Sequence, residues 1–286
     1  MIIRKNEVLS AEGKKPIVYD VYYNASKLIK PIVIFCHGYK GFKDWGAWNL
    51  VAETFADAGF FFLKFNFSHN GGTIEQPIDF PDLEAFAKNN FSLEMDDLDR
   101  VLNFLTSETS YQTETDVSNI NLIAHSRGGG IVLIKAVEDE RISKVVTWAG
   151  VSDFKARFQE GSPAFNAWQE TGITHVENGR TKQQMPHNIQ FYNDFKVNED
   201  RFTIKQALQK LKKPHLILQG SEDPNVVLKE AQAMHDWNPK SRLEIIEGGD
   251  HVFGASHPWE SKTLPSDLKK ATDLTIEFLK STVAYQ

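Results

Sequence analysis

Ile120-NLIAHSRGGGIVLIKA-Val137 opens as a buried strand, INLIA, and closes as a helix, RGGGIVLIKAV. One hydroxyl, Ser126, stands on the corner between them, with Ala124 two residues before it and Gly128 two residues after. A sharp strand-to-helix turn tolerates only small side chains at those two positions, and it lifts the corner residue out of the sheet toward solvent. Gly129 and Gly130 would let the new helix pack closely on neighbouring strands. Its free N-terminal N–H groups and dipole would point at Ser126. A serine that merely caps a helix fits the same letters. The strand before it and the glycine-rich helix after it favour a nucleophile.

Working outward, the same strand-then-helix rhythm recurs. An antiparallel pair is expected at Ile2–Leu9 and Ile17–Tyr23. The short apolar run Ile32–Cys36 stops at a glycine and suits a strand buried on both faces. A helix follows at Ala47–Ala58, a strand at Phe60–Phe67 and a helix at Leu93–Leu105, the last with apolar residues at Leu98, Val101, Leu102 and Leu105. KVVTWAG, PHLILQG and RLEIIEG read as further strands, Val226–Trp237 and Asp267–Lys280 as further helices. Such alternation implies right-handed crossovers and a mostly parallel sheet covered on both sides, an α/β fold in a single domain. The rhythm fails between Val151 and Lys212. Residues 151–202 are expected to form a cap inserted over one end of the sheet, with helices of their own.

The chain has 286 residues and a formal net charge of −6 with both signs interspersed, which argues against nucleic acid or an anionic membrane as its main partner. No apolar run approaches the roughly 18 residues of a membrane span, and the N-terminus lacks an apolar signal segment. Cys36 is the one cysteine, so no internal disulfide forms. A soluble, cytoplasmic protein is expected.

AHSRG resembles the nucleophile elbow of the α/β-hydrolase superfamily, with Ala where G-x-S-x-G has its first Gly. The resemblance covers nearly the whole chain. It implies an eight-stranded, mostly parallel sheet, residues 151–202 in the place of a variable cap, and nucleophile, acid and histidine in that chain order.

A serine hydroxyl needs a base. EIIEGGDHVF places His251 in a glycine-rich loop just past the last strand, at the sheet edge where Ser126 must also lie. The imidazole in turn needs an anion. LILQGSEDPNVV resembles the superfamily's G-x-x-D-x-x-V segment and nominates Asp223. Glu222 and Asp250 are neighbours pointing elsewhere, and Asp153, after the strand VVTWAG, is the rival. Backbone N–H donors must hold the oxyanion. One is expected from Arg127, directly after the nucleophile, and the resemblance nominates Tyr39, after His37–Gly38, for the other.

Trp148, at its strand end, is expected to touch substrate. His37 is expected near substrate too, mainly ordering its loop. Phe154, Phe158, Phe165, Trp168 and Phe191 either pack the cap or line an acyl pocket. His125 reads as packing and His69 as part of a turn in the pocket wall, while His187 and His257 remain unassigned. Cys36 reads as structural. The dienelactone hydrolases resemble this chain elsewhere but carry cysteine at the elbow, where this chain has Ser126. No histidine spacing suits a metal, and no cofactor is expected. The expected reaction is hydrolysis of a small-molecule carboxylic ester with a small or medium, or aromatic, acyl group. Peptidase, thioesterase and acyltransferase activities would use the same residues, and a non-catalytic binding protein could share the fold.

Overall fold

Ten strands and nine α-helices form among the residues described in the computed structural model, 1–26, 28–107 and 111–281. In chain order they are β1 (Ile2–Leu9), β2 (Ile17–Tyr23), β3 (Lys30–Cys36), α1 (Trp48–Asp57), β4 (Phe61–Phe65), α2 (Leu83–Lys88), α3 (Phe91–Thr106), β5 (Thr115–His125), α4 (Arg127–Glu138), β6 (Ile142–Trp148), α5 (Pro163–Thr171), β7 (Ile173–Glu177), β8 (Gln184–Asn188), α6 (Gln190–Val197), α7 (Ile204–Lys210), β9 (His215–Gly220), α8 (Leu228–Trp237), β10 (Arg242–Ile246) and α9 (Ser266–Lys280). Eight strands make one sheet in the order β1-β2-β4-β3-β5-β6-β9-β10, while β7 and β8 form a separate hairpin. The β1–β2 and β2–β4 pairs are antiparallel and the other sheet pairs parallel. This is the α/β-hydrolase fold.

The central strands bury both faces. Odd and even positions of β3 feed opposite cores: Ile32 and Ile34 pack with α3 and α4, Val33 and Phe35 with α1 and α9. Period-2 alternation thus splits one apolar run between two layers. No helix among the described residues is long and apolar enough to cross a membrane.

Three elements differ from the sequence expectation. β5 begins at Thr115, because Thr115 and Asp116 pair with Lys30 and Pro31 before an irregularity in the β3–β5 register that skips Val117–Asn119. β4 stops at Phe65 rather than Phe67, since the Phe67 N–H donates to the His37 ring (3.2 Å) instead of a neighbouring strand. α2 is too short for a periodic signal and is held by Asp82, whose Oδ1 accepts the Ala85 N–H at 2.8 Å.

Between β6 and α7 the chain forms a 3-10 turn (Lys155–Phe158), α5, the β7–β8 hairpin and α6. Their aromatic side chains interlock: Phe91 of α3 stacks on Phe154 at 4.0 Å, and Phe158 meets Phe195 at 5.0 Å. Beside β3, the loop after His37 is pinned by buried charges. Asp20 of β2 takes Lys43 at 2.7 Å and Lys64 at 2.6 Å, and Lys64 also reaches Asp44 at 2.6 Å. Burial alone would raise the Asp44 carboxyl, but Lys64 and Lys43 hold it below the usual carboxylate range. Two cations and two anions balance there, so removing one would leave an uncompensated buried charge.

Candidate active site

β5 runs into α4 through Ser126, whose backbone has φ 55° and ψ −122°. A non-glycine residue there carries local strain, and strain of this kind collects at functional sites. The corner is anchored on both sides: the Ser126 N–H donates to Trp148 O at 2.9 Å, and Ser126 O accepts the Gly129 N–H at 2.9 Å. The small flanking residues are sterically required. A Cβ on Gly128 would stand 2.6 Å from His37 O, one on Gly129 3.0 Å from Gly150 Cα, and one on Gly130 2.3 Å from the Phe154 ring. Gly128 meets backbone, which cannot swing aside. Gly128→Ala is therefore expected to destabilise the protein by about 2–3 kcal/mol, read as a lower urea midpoint at unchanged m-value.

His251 follows β10 in a loop held from two directions. Asp250 Oδ1 accepts the N–H groups of Val252 (3.0 Å) and Gly254 (2.8 Å), and His125 Nε2–H donates to His251 O at 2.8 Å. The loop also touches the one after β9. A Cβ on Gly220 would lie 2.1 Å from Gly249 O, and the Glu222 N–H donates to that same oxygen at 3.0 Å. Asp223 stands in this second loop. Its Oδ1 accepts the N–H groups of Asn225 (2.8 Å) and Val226 (2.9 Å), and its Oδ2 accepts Gln219 Nε2 at 3.0 Å. Burial pushes the Asp223 carboxyl up, but the His251 bond and these backbone N–H groups outweigh it and hold it below the ordinary range.

These loops bring three side chains into line. His251 Nδ1 lies 2.7 Å from Asp223 Oδ2, and His251 Nε2 lies 3.0 Å from Ser126 Oγ. A carboxylate accepts only, so Nδ1 carries the proton and Nε2 is free to accept from the hydroxyl. Such a line can draw the proton from a serine as it attacks. The other acids lie elsewhere: Asp153 caps the 3-10 turn through the Lys155 N–H at 2.7 Å, and Glu222 is exposed.

The loop bearing Tyr39 lies against the corner, since a Cβ on Gly38 would be 2.8 Å from Ser126 Cβ. As first residue of α4, Arg127 has an N–H that no carbonyl of its own helix can take. Its side chain pairs with Glu94 of α3 and lies over the rings of Tyr39 (5.1 Å) and Phe191 (5.6 Å).

A cavity of about 620 Å³ opens on Ser126 and His251. Phe91, Phe154, Phe158, Phe165, Trp168 and Phe191 give it an aromatic wall, so the rings of residues 154–191 both pack and line. Two expected substrate contacts are corrected. Trp148 is fully buried on the opposite face of the sheet, against Phe35 and Phe253, with Nε1 donating to Thr275 Oγ1 at 3.0 Å. Strand alternation turned its side chain away from the cavity. His37 is buried behind its loop. Its Nδ1–H donates to Gly38 O (2.9 Å) and its Nε2 accepts from Phe67 N (3.2 Å), so it orders the loop and does not reach the cavity. His69, bonded to Ser68 Oγ at 2.8 Å, is not in the cavity wall either. Conversely, His187 does line the cavity, with Nε2 2.7 Å from the Tyr39 hydroxyl. A lone histidine in the irregular stretch gave no sign of this. Gln219 gave one: it is a polar residue inside the apolar run LILQG.

Burial keeps several histidines neutral. It lowers His37 to about 4 and His125, His187 and His215 to about 3. In the unfolded chain each would titrate near 6.5. Below that pH the unfolded state binds more protons, so stability is full above pH 6.5 and is lost as pH falls toward 4. Each such proton contributes a slope of about 1.4 kcal/mol per pH unit where only the unfolded state is protonated. Asp97, raised to about 7 by burial, works in the opposite sense and offsets one of the four. Urea unfolding at a series of pH values should show the decline beginning near pH 6.5; a flat profile from 7 to 5 would contradict it.

The comparisons agree with this architecture. A family model described as alpha/beta hydrolase fold matches residues 31–172. A search of curated proteins finds no match. Among solved structures, Est1E from Butyrivibrio proteoclasticus, solved with ferulic acid bound, is similar at 18% identity and a TM-score of 0.71, over 96% of this chain and 97% of that one. A putative hydrolase from Agrobacterium vitis has 18% identity and a TM-score of 0.72 over 98% and 100%. A dienelactone hydrolase from Anabaena variabilis has 18% identity and a TM-score of 0.63 over 97% and 96%.

Proposed function

We propose that this chain, a member of the α/β-hydrolase superfamily, is a serine hydrolase that cleaves carboxylic esters through an acyl-enzyme. The observation that carries this reading is the continuous line Ser126 Oγ, His251 Nε2, His251 Nδ1, Asp223 Oδ2, with contacts of 3.0 and 2.7 Å. Ser126 Oγ attacks the ester carbonyl while its proton passes to His251 Nε2. The oxyanion that forms is held by the N–H groups of Tyr39 and Arg127. As the tetrahedral species collapses, the C–O bond to the alcohol breaks, and His251 gives its proton to the departing oxygen. Water then enters, loses a proton to His251 and attacks the acyl-enzyme carbonyl. Collapse returns the proton to Ser126 and releases the acid. Asp223 keeps the imidazole in one tautomer and stabilises its charged form throughout.

The aromatic wall supports an acyl or alcohol group with a flat or apolar face. An aromatic acid on the similar Est1E points the same way. The test is a panel of matched aryl and alkyl esters, thioesters and aminoacyl amides, with a fluorophosphonate probe alongside. Esters should be turned over fastest, with an initial burst where deacylation is slow, and the probe should label Ser126. An unlabelled Ser126 together with an inert panel would sink the reading.

A further inference from the structure

The charges around the cavity are arranged unevenly. Lys40, Arg127 and Arg157 line it, and among the described residues of its wall none is Asp or Glu. Each arginine has its counter-ion behind the wall. Arg127 pairs with Glu94, which is 2% exposed at its side chain and also takes Asn89 Nδ2 at 2.8 Å. Arg157 pairs with Glu230 (2.6 Å), which is itself held by the Ser152 N–H at 2.9 Å. Among the described residues no carboxylate pairs with Lys40. Its ammonium donates to the Glu177 carbonyl at 3.3 Å and lies 5.1 Å from the centre of the Tyr39 ring, while the Glu177 carboxylate turns to Lys182. Lys40 follows Tyr39 directly, so this unpaired cation stands at the mouth, one residue from the proposed oxyanion donor. On a chain with net charge −6, the wall of this one cavity presents cations only. Low-dielectric aromatic walls focus such a field inward.

We infer that the substrate carries a carboxylate away from its reacting ester bond, and that Lys40 pairs with it. This rests on the hydrolase reading and narrows it. An aromatic or alkyl ester with a free acid group would fill the wall with its apolar part and the mouth with its charge. Substrates with a free ammonium group, such as aminoacyl esters and amides, would meet three cations and no carboxylate.

Three forms of methyl benzoate, with a para carboxylate, carboxamide or aminomethyl group, differ only in that charge. Their binding to the Ser126→Ala protein, measured by calorimetry, needs no turnover. The carboxylate form should bind about tenfold tighter than the carboxamide, the scale of a charge-assisted hydrogen bond, and the aminomethyl form weaker than both. Lys40→Gln in the same background should bring the carboxylate-to-carboxamide ratio close to one. Added salt should shrink the ratio in the Ser126→Ala protein itself. Equal binding of the three forms, a preference for the ammonium, or a carboxylate preference that survives Lys40→Gln would overturn the inference. Turnover of the same esters by the unaltered protein separates this from the hydrolase reading. Selective binding without hydrolysis would leave the anion preference standing and remove the esterase, and hydrolysis without selectivity would do the reverse.

Discussion

Ser126→Ala should lower kcat on an activated aryl ester by about a millionfold, to the level that binding and the proposed oxyanion donors alone provide. The loss is that large because, among the described residues, His251 Nε2 meets Ser126 Oγ at 3.0 Å and no second serine or threonine. The variant should fold normally. Alanine at φ 55° is strained much as serine is, and the anchoring bonds of the corner come from backbone atoms, which the substitution leaves in place. Labelling by a fluorophosphonate should vanish while the urea midpoint stays within error. Retained turnover would remove Ser126 from the chemistry.

Asp223→Asn should follow with a loss of about ten-thousandfold in kcat. The reason is specific to the contacts. Asp223 Oδ1 accepts two backbone N–H groups, so an asparagine keeps its oxygen there and turns its amide toward His251 Nδ1. The ring must then accept at Nδ1 and carry its proton on Nε2, where it can no longer receive one from Ser126. The melt should fall modestly as well, because the new N–H faces Gln219 Nε2, which the Val226 carbonyl holds in its present orientation at 2.8 Å. Steady-state kinetics beside a thermal melt make the check. A variant that keeps most of its kcat would show the acid to be a turn cap and nothing more.

Much of this was legible in the chain because it is written in local rules. Apolar runs broken by glycine marked the strands of the sheet. Small residues on both sides of Ser126 marked the corner, and the ends of β9 and β10 marked where Asp223 and His251 had to be. The sequence was least informative about direction. Trp148 stands at the right end of β6, yet whether its ring faces the cavity or α9 depends on one residue of register, and it faces α9. Residues 151–202 were opaque for a different reason. Phe154 and Phe191 are held by ring contacts with Phe91 of distant α3, and His187 of the hairpin by Phe86 of α2, so no periodicity within the segment describes them. Glu94 was invisible for the same cause: nothing near it in the chain foretells Arg127. The same is true of His187 and Tyr39.

The touching of Gly220 and Gly249 has a further bearing on how this molecule could be altered. With no room for a side chain between them, Asp223 and His251 ride on one welded support rather than two adjustable arms. Lengthening or swapping either connection in a redesign would shift both partners of the imidazole's hydrogen bond at once. Loop grafting to change selectivity should therefore target the β7–β8 side of the cavity, which shares no such seam with the proton path.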